Sequence, residues 1–217
     1  MTWRSVLAIQ AIVFDLGNTL FTATDAGYRD DRWERRLGLP PGILAREVWG
    51  SRMERAALVG AVPLEEFWDW VGQTLRLSDQ QLSDFDDGLW EGIVLLPQVA
   101  TLLERLKFRF RVAALSNAWS DARGRIEGVY GIERLVEFIA YSAEIGFAKP
   151  DPRAYMFVIE QLGVRPDQTL FVDDLATNAA AAAALGMPVV QCVDPEQMIH
   201  DVESVLLQGT LVHGATP

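Results

Sequence analysis

The run AIVFDLGNTL at residues 11–20 constrains this chain more than any other stretch. An uncharged apolar segment ends at Asp15, and Gly17, Asn18 and Thr19 follow at once. A short continuous apolar run bounded by turn residues reads as a strand buried on both faces, as in a parallel sheet. Three further pieces come later in a fixed order: Ser116-Asn117 after RVAAL, Lys149-Pro150 after a third strand, and Asp173-Asp174 after TLFV. In an open parallel sheet the carboxyl ends of the strands line the crevice where ligands bind. Polar residues placed there converge on one edge.

Apolar runs at 9–15, 111–116, 137–142, 169–173 and 188–193 predict five parallel strands. Helical patterns lie between them at 97–107, 151–163, 175–186 and 194–208. Asp151 and Asp194 stand as N-caps, with Pro152 and Pro195 at the first helical position. Gly163 and Gly186 stand as stops. The alternation predicts an α/β fold: a doubly wound, Rossmann-like core with a parallel five-stranded sheet and right-handed crossovers. Residues 23–95 break the alternation and hold no good strand. Four helical stretches fit there, near 26–37, 41–57, 63–76 and 78–91, with Ser78 and Gln81 as a capping box. Five of the seven tryptophans fall in this insert, namely Trp33, Trp49, Trp68, Trp70 and Trp90, and they read as the filling of an all-helical cap. The expected organisation is a core over 1–22 and 96–208, a cap over 23–95 and a flexible tail over 209–217.

A net charge of -11 argues against a nucleic-acid or anionic-membrane partner. No apolar run reaches the ~18 residues of a membrane span. Arg4 and the apolar stretch after it could mimic a signal peptide, but the stretch runs into Asp15 without a small-residue cleavage site. Cys192 is the single cysteine, which excludes an intrachain disulfide and a cysteine zinc cluster. These features fit a cytoplasmic protein. His200 and His213 lie in the last helix and tail and give a histidine-based triad little support. Arginines in the first half of the cap read as solvated helix faces. The tryptophan-rich cap leaves room for a homodimer.

Asp15, Asp173 and Asp174 would meet at one sheet edge. Three adjacent carboxylates repel unless protons or a cation intervene. A hard divalent ion with oxygen ligands, most simply Mg²⁺, resolves the conflict. Lys149 adds a further positive charge. A metal, a lysine and a carboxylate nucleophile together suit a phosphoryl group.

The chain resembles the haloacid dehalogenase superfamily, in the branch whose helical cap is inserted after the first strand. Four blocks match in order: FDLGNTL, LSNA, SAEIGFAKPDPRAY and LFVDDLATNAAAAAALGM, with the likeness covering residues 9–193. The resemblance implies a Mg²⁺-dependent phosphatase acting on a small phosphorylated substrate. It implies Asp15 as the nucleophile that forms an aspartyl-phosphate. The side chains of Asp15 and Asp174 and the carbonyl of Gly17 would ligate Mg²⁺, with Asp173 beside the metal through water. Ser116 and the backbone at Asn117 would hold phosphoryl oxygens, and Lys149 would bridge phosphate and Asp15. Thr19 would support the first loop on the substrate side, and Asn178 matches an outer-shell position.

One position departs from the pattern. Phosphatases of the superfamily carry a second aspartate two residues after the nucleophile, as general acid and base; here it is Gly17. Such help is worth about 10²–10⁴-fold. Three readings follow. The first is a phosphatase that favours good leaving groups or borrows an acid, with Asp25, Tyr28, Asp30 and Asp31 near the cap hinge as candidates. The second is a weak or inactive relative that binds a phosphometabolite or a protein partner. The third is a carbon–halogen hydrolase, which needs no acid but also no metal and no Asp173-Asp174 pair.

Overall fold

The computed structural model describes residues 9–24 and 29–210. The first strand, β1 (Ala11–Phe14), is buried along its whole length. Its alternate residues pack on opposite faces of the sheet. Ile12 and Phe14 join Leu102, Leu103, Met198 and Val202 in one apolar cluster. Ala11 and Val13 join Tyr155, Val158, Ile159 and Ala182 in another. A strand covered on both faces cannot alternate polar and apolar residues, which is why the sequence reads as an unbroken apolar run.

After β1 the chain forms β2 (Phe21–Ala23), then the helical insert, then β3 (Ile93–Leu95). The insert holds α1 (Asp30–Leu37), a π-helical turn at Leu44–Val48, α2 (Arg52–Leu58), α3 (Leu64–Leu75) and α4 (Asp79–Gly88). The core resumes with α5 (Pro97–Leu106), β4 (Arg111–Ser116), α6 (Ala122–Ile126), β5 (Ile139–Tyr141) and α7 (Ser142–Ile145). It ends with α8 (Pro152–Leu162), β6 (Thr169–Asp173), α9 (Ala176–Ala184), β7 (Val189–Gln191) and α10 (Pro195–Thr210). The main sheet runs β5-β4-β1-β6-β7 with every pair parallel. The connections after β1 move to one side as far as β5, then return to the other side at β6. That reversal beside β1 is the switch point at which open α/β sheets bind ligands.

Several expectations need correction. The insert is not free of strands at its borders: β2 and β3 pair antiparallel, Phe21 opposite Leu95 and Ala23 opposite Ile93. The chain leaves and re-enters the core through this ribbon. The stretch 41–57 is not one helix. Gly50, at φ +73°, breaks it, and Ser51 caps α2 by accepting from the Glu54 N–H at 3.0 Å. The last helix runs through Thr210, past the expected start of a tail at 209. Arg4, Asp25, Tyr28, His213 and residues 211–217 lie outside the described residues. Among the described residues no helix is long and apolar enough to cross a membrane.

Trp33, Phe67, Trp68, Val71 and Phe85 fill the centre of the insert, with Trp49 and Trp70 against them. Trp90 packs instead against the core cluster beneath the sheet. Trp119, a core residue just past Asn117, lies in the insert's aromatic cluster. Its ring centroid is 5.4 Å from Phe67, 5.5 Å from Trp68 and 6.3 Å from Trp49. At Gly88, the last residue of α4, an added Cβ would come 1.8 Å from the Trp33 ring. Gly88→Ala is expected to destabilise the protein by about 1–3 kcal/mol through overpacking. Urea denaturation followed by far-UV dichroism checks this, and an unchanged midpoint would contradict the packing.

Candidate active site

Strand register brings the acids together. Phe14 pairs with both Ala114 and Val172, so Asp15, one residue on, is level with Asp173. The Asp15 N–H donates to the Val172 carbonyl at 2.8 Å, continuing the ladder. Asp174 follows in the next loop, and oxygens of Asp15, Asp173 and Asp174 lie within 4.8 Å of one another.

Lys149 lies among these acids, almost fully buried. Its Nζ donates to Asp15 Oδ1 at 2.5 Å and to Asp173 Oδ2 at 2.7 Å. The backbone at Lys149 is fixed by Asn117, whose Nδ2 donates to the Lys149 carbonyl at 2.8 Å and whose Oδ1 accepts from the Lys149 N–H at 2.7 Å. The Lys149-Pro150 peptide is cis. Sequence reasoning gave Asn117 a role only through its backbone; its side chain ties the loop after β4 to the lysine.

Asp173 is fully buried and heavily engaged. Its Oδ1 accepts from the Leu175 N–H at 2.9 Å, and Asn178 Nδ2 reaches both carboxylate oxygens at 3.0 and 3.1 Å. The Asn178 carbonyl accepts from the Tyr155 hydroxyl at 3.0 Å. These bonds, with that from Lys149, hold the Asp173 carboxylate in one orientation. Asp174 is half-buried, and Asn18 Nδ2 donates to its Oδ2 at 3.2 Å. Asn18 sits at φ +52°, a conformation asparagine tolerates better than most residues. Asn18 and Tyr155 were missed by sequence reasoning. The asparagine directly after Gly17, in the loop beyond β1, was the available signal for one; nothing local marks the other.

A cleft of about 250 Å³ is lined by Asp15, Gly17, Ser116, Asn117, Lys149 and Asp174, and also by Asn18, Leu175 and Asn178. Thr19 does not line it. Its side chain is buried and the hydroxyl has no hydrogen-bond partner, so the structure gives it no place on the substrate side. Of the candidate acids in the described insert, Asp31 is tied to Arg29 and Arg35 on the surface. Asp30 accepts from the Trp49 indole N–H at 2.9 Å. Burial pushes the Asp15 carboxyl up to about 6; Lys149 opposes the rise, and Asp173 and Asp174 add to it. Burial also pushes the Cys192 thiol up to about 11, so it stays a neutral core group just beyond β7.

One ammonium facing three carboxylates at the carboxyl edge of a switch-point strand defines a hydrolase-type site with room for a cation. A family model described as haloacid dehalogenase-like hydrolase matches residues 9–186, and the chain belongs to that family. It is 31% identical over 192 residues to a phosphoglycolate phosphatase from Pseudomonas putida, covering 84% of this chain and 67% of that one. It is 28% identical to (S)-2-haloacid dehalogenase 4A from Burkholderia cepacia, covering 85% of this chain and 83% of that one. At 25% identity it matches pig bifunctional epoxide hydrolase 2, covering 92% of this chain but only 39% of that much longer protein. A solved HAD family enzyme from Bacteroides thetaiotaomicron, in complex with magnesium and inorganic phosphate, shares the fold at TM-score 0.70. The match has 23% identity and covers 84% of this chain and 93% of that one.

Proposed function

We propose that this protein is a Mg²⁺-dependent phosphatase that hydrolyses a small phosphorylated metabolite through an aspartyl-phosphate on Asp15. The observation that carries the reading is the charge balance: Asp15, Asp173 and Asp174 face one lysine, leaving an excess of negative charge beside an open cleft. The donor set is all oxygen, as Mg²⁺ prefers. Asp15, Asp174 and the Gly17 carbonyl would hold the ion. When bound, it supplies positive charge that offsets the repulsion between an anionic nucleophile and phosphoryl oxygens.

In this reading the Asp15 carboxylate attacks phosphorus, a P–O bond to Asp15 forms and the ester P–O bond breaks. The leaving oxygen takes its proton from solvent, because Gly17 offers none. Water then hydrolyses the acyl phosphate, which restores Asp15 and releases inorganic phosphate. Lys149 holds Asp15 in place and neutralises phosphoryl charge, and the Ser116 hydroxyl donates to a phosphoryl oxygen. The division into core and a helical cap over 23–95, and a cytoplasmic setting, belong to the same proposal. A dehalogenase reading is disfavoured because it leaves three carboxylates around one lysine with no cation to balance them.

The test is phosphate release from p-nitrophenyl phosphate and a panel of small phosphate esters, with Mg²⁺ and with chelator. Turnover that requires Mg²⁺ supports the reading. Chloride release from a 2-haloacid in chelator, without phosphate release, overturns it.

Gly17 itself makes a prediction. Its φ is not left-handed, and an added Cβ meets nothing within 4 Å. A side chain is therefore sterically admissible at the mouth of the cleft. Gly17→Asp is expected to raise turnover of alkyl phosphates by about 10²-fold and of aryl phosphates far less, since only the poor leaving group needs a proton. A leaving-group plot of kcat/KM checks this. A flat plot in the unmodified protein would mean that another residue already donates.

A further inference from the structure

A second cavity, of about 450 Å³, lies between the insert and the core. That is ample for a small ligand. It adjoins the catalytic cleft, because Asn117 lines both. A smaller cleft connects them a second time, sharing Leu89 and Ile93 with the large cavity and Gly17 and Asn18 with the catalytic one. A phosphoryl group seated at Asp15 therefore has this cavity beside it for the rest of its ester.

The cavity has an unusual wall. Trp49, Trp90 and Trp119 supply aromatic surface, and Leu58, Leu89 and Ile93 supply aliphatic surface. The charged residues on the wall are Asp30 and Glu54, and no lysine, arginine or histidine lines it among the described residues. Glu54 is half-buried, accepts from the Gly50 N–H and forms no ion pair among the described residues. Burial raises the Glu54 pKa, against the pull of Arg55. Arg55 is exposed and donates its guanidinium to the Gly50 carbonyl. Arg125, 5.5 Å from the Trp90 ring, is held by Asp86, Asp87 and Asp121 and brings no surplus positive charge.

Resting on the phosphatase reading, we propose that the substrate is the monophosphate ester of an alcohol carrying a positively charged nitrogen. Tryptophan faces attract a cation through the ring quadrupole, most strongly where water is excluded. Two carboxylates on the same wall favour positive charge and oppose negative charge. A second anionic group on the substrate, such as a carboxylate or a second phosphate, would face Asp30 and Glu54, with no lysine, arginine or histidine among the described residues of the wall to receive it.

The experiment compares kcat/KM, with Mg²⁺, for phosphocholine, for 3,3-dimethylbutyl phosphate as its neutral isostere, and for phosphoglycolate. The expected order is that one, with phosphocholine at least about tenfold above the isostere and phosphoglycolate lowest. Glu54→Gln is expected to draw the first ratio toward one. Equal rates, or preference for the neutral or anionic ester, overturn the inference. Binding separates its fate from that of the phosphatase reading. Tryptophan fluorescence is titrated, in chelator, with choline and with 3,3-dimethylbutan-1-ol. Tighter binding of choline by about tenfold supports the preference for a positively charged nitrogen even if no ester is turned over, in which case only the phosphatase reading, and the ester linkage with it, falls. Turnover of p-nitrophenyl phosphate without any choline preference leaves the phosphatase and overturns the inference.

Discussion

Asp15→Asn is expected to lower phosphate release by about 10⁴-fold or more while making the metal-free protein more stable at pH 7.5. The first effect follows if Asp15 is the atom donor to phosphorus, since an amide is a far poorer nucleophile and the remaining groups act as a unit with it. The second follows from burial. The Asp15 carboxyl titrates near 6 in the folded protein against 3.8 for an ordinary aspartate. The folded state therefore binds the proton more tightly than the unfolded one. Stability from this group is full below pH 3.8 and is lost as pH rises through about 6. At pH 7.5 the ionised carboxylate costs about 3 kcal/mol. Asparagine cannot ionise and escapes that cost. Urea denaturation in chelator at pH 7.5, 6 and 4.5 should show the variant ahead at pH 7.5 and the gap closing toward pH 4.5. A pH-independent gap, or a less stable variant at pH 7.5, would refute the electrostatic account. Saturating Mg²⁺ should close the gap from the other side, by stabilising the unmodified protein.

The second large effect is expected at Lys149. Its ammonium is the cation bonded to both Asp15 and Asp173, and all three side chains are buried or nearly so. Lys149→Ala leaves two buried carboxylates without that partner. Removing one member of a buried ion pair costs about 3–5 kcal/mol. For a chain of this size that is a drop in Tm of roughly 6–20 °C. The loss should shrink as pH falls, because the orphaned carboxylates then take up protons, and Asp173→Asn in the same chain should recover part of it. A small drop in Tm, or one unaffected by pH, would show that the lysine is not the charge partner the geometry makes it. Phosphate release should fall by about 10³-fold even at a temperature where the variant is folded.

Much of this site was legible because buried parallel strands write themselves plainly. Ala11–Phe14 and Leu170–Val172 cannot alternate, so their ends are marked by the first polar residue, and that residue is Asp15 in one and Asp173 in the other. Ser116 is legible for the same reason. What was not legible depends on contacts between distant segments. The β2–β3 ribbon has three residues per strand, too few for a periodic pattern, and its partners lie at opposite ends of the insert. The Asn117 side chain finds its partner in the backbone of Lys149, which no local pattern announces. The break at Gly50 did leave a trace: Ser51 followed three residues later by Glu54 is a helix-start signal. The Glu54 side chain departs from that motif by accepting from Gly50 rather than from Ser51.

Trp119 bears on how such inserts can be exchanged. The helical insert is contiguous in sequence, so grafting it onto a related core would naturally cut the chain at the β2–β3 ribbon. The aromatic cluster does not respect that cut, because one of its rings grows from the loop that follows Ser116 at the end of β4 and also carries Asn117. A transplanted insert would arrive with a hole where an indole belongs, and the donor core would keep a large apolar side chain with nowhere to go. The portable module is the helical insert together with residue 119.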